Sequence, residues 1–157
     1  MTIEGTFVVD AGRSILAIAG SSSVHPIELE SRKPEGALEF HDGVGAGNLV
    51  VAASSLTSGQ LLQDLELRRR INARRYPTIE AVVRQLTIDH AEGDITFFGT
   101  TRPASGQLMV TLDGDDLHIT GEAIFNVRDF GFTPPNILGV RVHDEITARL
   151  DLVAIRQ

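Results

Sequence analysis

The sequence predicts an all-β protein: an antiparallel sheet closed into a barrel, with one short α-helix capping it. Three observations carry this expectation. Apolar residues recur with period two over most of the chain, the signature of half-buried strands. Stretches rich in Gly and Asp separate the alternating runs where the backbone must reverse. Only one stretch has helical spacing. Closure is the economical arrangement for such a sheet, because it removes exposed strand edges.

Taken in order, strands are expected at 6–10, 14–20, 27–31, 36–41 and 48–54, with "AGR" and "HDGVGAGN" supplying turns. The helix is "SGQLLQDLELRRRIN", in which Leu61, Leu62 and Leu65 share a side and Ser58 stands as N-cap. Asp64 and Glu66 come early and the arginines late, the order that suits the helix dipole. Tyr76-Pro77 then stops the helix. Further strands are expected at 78–90, 94–102 and 107–113, with "DHAEGDI" and "LDGDDL" as hairpin connections.

The last two strands alternate best. In "LHITGEAIFNV", Leu117, Ile119, Gly121, Ala123, Phe125 and Val127 face one way and His118, Thr120, Glu122 and Asn126 the other. In "VRVHDEITARLDL", Val140, Val142, Ile146, Ala148, Leu150 and Leu152 face inward, with Asp144 a lone carboxylate among them. Several expected inward positions are small, namely Ala17, Ala52, Gly121, Ala123 and Ala148. An eight-stranded barrel lined this way has room for a small ligand.

The 157 residues fit a single domain, 1–157, with 42% apolar and 22% charged residues. A net charge of −7 argues against a nucleic-acid partner, for which phosphate neutralisation dominates affinity. The absence of cysteine excludes disulfides and thiolate chemistry. The first residues read as no export signal, and no run approaches the ~20 apolar residues of a membrane helix, so a cytoplasmic protein is expected. Arg68, Arg69, Arg70, Arg74 and Arg75 form a local basic exception. They neutralise the helix end, or make a transient contact with an acidic membrane surface. A homodimer is compatible with the sequence.

No constellation points to catalysis. His25, His41, His90, His118 and His143 are scattered, without the convergence a zinc site needs. There is no G-x-S-x-G elbow, and "SSSVH" and "SSLTSG" have no base at interpretable spacing. "GVGAGN" lies between strands and opens no helix, so it reads as a hairpin rather than a phosphate loop. Asp115, Asp116, Asp144 and Glu145 read chiefly as surface carboxylates. No catalytic residue, metal or cofactor is therefore expected. A carboxylate on an apolar face needs a partner, and Arg128 in "FNVRDFGFTPPN" is the expected one. The pair would clamp the turn carrying Phe130 and Phe132 to the last strand, so that Asp144→Ala would lower thermal stability sharply.

Five segments, in order along nearly the whole chain, resemble the YceI-like family of lipocalin-like proteins. They are "FVVDAGRSILAI", "SSLTSGQLLQDLEL", "ARRYPTIEAVV", "ITFFGTTRPASGQLMV" and the pair "FNVRDFGF" with "VHDEITARLDL". The resemblance implies an extended antiparallel lipocalin-like β-barrel around an apolar channel. It also implies non-catalytic binding of polyisoprenoids, isoprenoid quinones or other amphiphiles. The expected ligand-binding positions are Leu62, Leu65, Phe97, Val110, Ile119, Ala123, Phe125, Phe130, Phe132, Ile146, Ala148 and Leu150. Two alternatives stay open: a barrel packed shut and used as a structural or interaction module, and an enzyme acting on a bound lipid.

Overall fold

The computed structural model describes residues 2–24, 26–134, 136–137 and 140–157, with the backbone alone at 136, 137 and 140. Among these residues the strands are β1 (Gly5–Val9), β2 (Ile15–Ser22), β3 (Pro26–Ser31), β4 (Glu35–His41) and β5 (Val44–Ala52). Helix α1 (Leu61–Arg70) follows. Then come β6 (Thr78–Leu86), β7 (His90–Phe97), β8 (Thr100–Asp113), β9 (Asp116–Asn126), β10 (Asn136–Ile137) and β11 (Val140–Arg156).

Eight antiparallel strands close the ring in the order β1-β4-β5-β6-β7-β8-β9-β11, sealed where Phe7, Val8 and Val9 of β1 pair with Arg156, Ile155 and Ala154 of β11. Lower on β11, Ile146 to Asp151 pair with β2, which carries β3 on its far edge. The 17-residue β11 thus serves two neighbours on one side and β9 on the other.

Alternation explains the strands but mislocates those of the β6–β7–β8 meander. The span expected at 78–90 ends at Leu86, and the span expected at 94–102 is broken by a turn at Phe98 and Gly99. Both turn residues have positive φ, 53° and 76°, as a tight two-residue hairpin requires. "AEGD" is not a turn. Its Gly93 lies on β7 because a Cβ there would sit 2.2 Å from the Val82 carbonyl oxygen, next to a register shift between Val83 and Gln85. Glycine marks a close approach of two strands at this point. Ala17 and Ala52 also face away from the interior, since Leu16, Ile18 and Val51 take the inward positions.

One end of the barrel is packed solid. Phe7 and Phe40 meet edge to face at 5.8 Å, among Leu38, Leu86, Val110, Leu117, Ile119 and Leu152. Such packing contributes most of the stability a small barrel has. Helix α1 covers the other end through Leu67 and Ile71, which pack with Ala53, Val127 and Phe132.

The helix is set by Asp64 rather than by Ser58. The buried Asp64 carboxylate accepts hydrogen bonds from the Thr57 hydroxyl (2.6 Å), the Ser58 hydroxyl (2.6 Å) and the Ser58 N–H (2.8 Å). Burial pushes its pKa up, but these bonds and the charge of Arg68 outweigh that and hold it below the usual range. Turning Asp64 inward turns the leucines out. Leu61, Leu62 and Leu65 are 69%, 82% and 50% exposed, so the side expected to meet the interior faces water.

Candidate ligand cavity

Between the two packed ends lies a cavity of about 370 Å³, within the lower part of the range of small-molecule sites. Its floor is Leu38, Leu86, Leu108, Ile119 and Leu152. Its roof is Leu56, Gln63, Leu67, Ile71, Phe97, Phe130 and Phe132. The space between exists because the walls are built of small inward residues: Ala81, Ala91, Gly93, Ala104, Gly106, Gly121, Ala123 and Ala148. On the third side Ile18, Ile27 and Leu29 of the β2–β3 pair continue the apolar surface. Glu80, Glu92 and Glu122 take outward positions on their strands and are exposed, and Glu122 pairs with Arg149 at 3.2 Å.

Of the expected ligand-binding residues, Phe97, Ile119, Ala123, Phe125, Phe130, Phe132, Ile146, Ala148 and Leu150 border this cavity. Val110 is buried in the packed end instead. Leu62 and Leu65 lie on the exposed face of α1, because Gln63, Leu67 and Ile71 take its inner face. The residues that alternation missed are Ala81, Ala91, Gly93, Ala104 and Gly106. The sequence signal is two pairs of small residues two apart, Ala91 with Gly93 and Ala104 with Gly106, and the turn composition of "AEGD" masks the first.

The aromatic residues form one connected wall at the helix end. Phe97 meets Phe130 at 5.9 Å and Phe132 at 5.5 Å, Phe98 meets Phe132 at 5.4 Å, and Tyr76 meets Phe98 at 5.0 Å. The turn carrying Phe130 and Phe132 is fixed by Gly131 at φ 76° and by the Arg102 Nε–H, which donates to the Asp129 carbonyl at 2.9 Å. Arg128 pairs with Asp144 at 2.6 Å, as expected, but both side chains are partly exposed. Asp144 keeps its place in the less exposed row of β11 but lies beyond the last rung between β9 and β11, Asn126 with Glu145, where the wall ends.

The remaining charged candidates are dispersed. His41 contacts Glu39 (3.2 Å), His90 contacts Glu92 (3.3 Å), His118 contacts Asp151 (2.7 Å) and His143 contacts Ser21 (2.8 Å), all on the outer surface. His25 and Pro135 lie outside the described residues. Arg69 and Arg70 both hydrogen-bond Glu66, at 2.8 and 2.9 Å, and hold its carboxyl down to about 2. Arg75 stacks over Tyr76 at 5.3 Å, and Arg74 is exposed. No helix among the described residues is long and apolar enough to cross a membrane.

A family model described as YceI-like domain matches residues 7–154. Solved structures share the fold at low identity. A polyisoprenoid binding domain from Saccharophagus degradans superposes with a TM-score of 0.83 at 14% identity, covering 96% of this chain and 98% of that one. BcnA of Burkholderia cenocepacia superposes at 0.80 with 17% identity, covering 92% and 98%. A YCEI protein of Campylobacter jejuni gives 0.69 at 12% identity, covering 83% and 85%. Among curated proteins, none matches the chain significantly in sequence.

Proposed function

The chain belongs to this YceI-like family, and from that premise we propose that its barrel binds and carries an apolar or amphiphilic chain without catalysing a reaction on it. A polyisoprenoid, an isoprenoid quinone or a fatty-acid-like lipid has the required chemistry. The observation that carries this is the cavity itself, whose inward side chains are apolar from floor to roof save for Gln63, and small at mid-height. The polyisoprenoid binding domain of similar fold supports the same ligand class. A barrel packed shut would leave no such space.

The energetics are sufficient. Each buried methylene is worth about 0.8 kcal/mol, so a five-carbon isoprene unit contributes roughly 3–4 kcal/mol before ordering costs. Two or three units then support micromolar binding. Native mass spectrometry of the purified protein, with lipid extraction and rebinding of an isoprenoid quinone, tests the proposal. A protein that arrives empty and takes up neither quinone nor fatty acid overturns it.

Loading also needs access to a lipid source, and the outer face of α1 suits a transient membrane contact. Exposed Leu61, Leu62 and Leu65 lie beside exposed Arg69 and Arg70, a combination that favours an anionic lipid surface. Co-sedimentation with phosphatidylglycerol vesicles at low salt is expected. It should be lost at high salt and weakened by Leu62→Glu. Sedimentation indifferent to both would exclude this contact.

A further inference from the structure

The barrel wall has a window. β8 and β9 pair from Asp113 with Asp116 to Leu108 with Gly121, and there the pairing stops. Residues 100–107 of β8 then pair with β7, and residues 122–126 of β9 with β11, with no rung between the two edges. At the lower corner a Cβ on Gly121 would lie 2.7 Å from the Leu108 Cβ, so glycine is what lets the strands touch before they part. At the upper corner the Arg102 bond to the Asp129 carbonyl ties β8 to the turn after β9. Ala104, Gly106, Ala123 and Phe125 border both this opening and the main cavity, so the two are continuous. A side chain on Gly106 would meet nothing within 4 Å.

We propose that this window seats the polar end of the bound chain, and that the end it suits is an uncharged hydrogen-bonding group such as a quinone carbonyl, an alcohol or an amide. This rests on the carrier function proposed above. A polar head buried against the apolar walls would lose its hydrogen bonds at a cost of several kcal/mol. At the window it meets two strand edges without a strand partner across the gap, the exposed Ser105 and the exposed Asn126. Glu122 is matched by Arg149, and Arg102 stands beside Asp129 with its Nε–H donated to the Asp129 carbonyl, so the window holds no excess positive charge for an anionic head. The apolar chain then runs inward from Gly106 and Ala123 beneath Phe130, while its head stays in reach of water.

The protein has no tryptophan, so single reporters can be placed at will. Pro103→Trp stands on one lip of the window, Ile124→Trp on the other, and Gln63→Trp beneath the helix. A benzoquinone with a two-isoprene tail quenches a nearby indole. At saturation, quenching at 103 and 124 is expected to exceed that at 63 at least threefold. The same tail ending in a diphosphate should compete at least tenfold more weakly than the tail ending in an alcohol. Stronger quenching at 63, or equal competition, overturns the window assignment while leaving a chain-binding barrel. Absence of quinone binding to the unmodified protein, read by native mass spectrometry, overturns both.

Discussion

Asp64 and Asp144 show how the same residue type carries different weight in different surroundings. Asp64 is buried and accepts three hydrogen bonds, from the Thr57 hydroxyl and from the hydroxyl and N–H of Ser58. Asp64→Ala leaves the Thr57 and Ser58 donors unpaired and is expected to cost about 2 kcal/mol. In a chain of this size that is a melting temperature lower by roughly 4–8 °C by calorimetry. Asp144 pairs with Arg128 at a half-exposed site, where such pairs contribute about 0–1 kcal/mol. Asp144→Ala is therefore expected to shift melting by no more than about 2–4 °C, against the sharp loss that a buried carboxylate would give. Acid acts through the same chemistry. Glu66, held down to about 2, and Asp64, held below its usual range, contribute stability that is complete above the unfolded carboxylate range near 4. That contribution should fall away as pH drops from about 4.5 towards 2. Denaturant midpoints unchanged between pH 5 and pH 3 would contradict it.

At the scale of elements, long alternation was legible and local detail was not. The faces of β9 and of β11 from Val142 onward read correctly because one side of each is wet and the other packed, with exposed Ile124 the departure. The β6–β7–β8 meander did not, because "AEGD" has turn composition yet answers a tight strand crossing at Gly93. Its true turn, Phe98-Gly99, hides among β-favouring residues. Gly99 is the test of that turn. At φ 76°, with the Tyr76 ring 2.6 Å from any added Cβ, Gly99→Ala is expected to destabilise by at least about 1–2 kcal/mol. A neutral Gly99→Ala, measured by urea unfolding, would mean the hairpin is built otherwise. The helix was legible as a helix, but its orientation was not. Three leucines outweigh one aspartate in any reading of periodicity, whereas in three dimensions the hydroxyls of Thr57 and Ser58 draw Asp64 inward and roll the leucines to the surface.

For the whole molecule, the cavity is a consequence of what the walls lack. Ala148 and Ala123 are paired across β11 and β9 at its mid-height. Ala148→Phe should fill the space with little strain, since overpacking is costly only where atoms are already in contact. The expected result is at least tenfold weaker quinone binding with melting within a few degrees of the unmodified protein. Loss of fold would show that the space is not free. The seal between β1 and β11 has a consequence in time. It joins residues 7–9 to residues 154–156, so on the ribosome every other strand of the ring emerges before the ring can shut. At synthesis rates of about 5–20 residues per second, β1 waits several seconds with one flank open. During that interval the open edge of β1 is free to pair with other strands, and residues 154–156 are the ones that end the exposure.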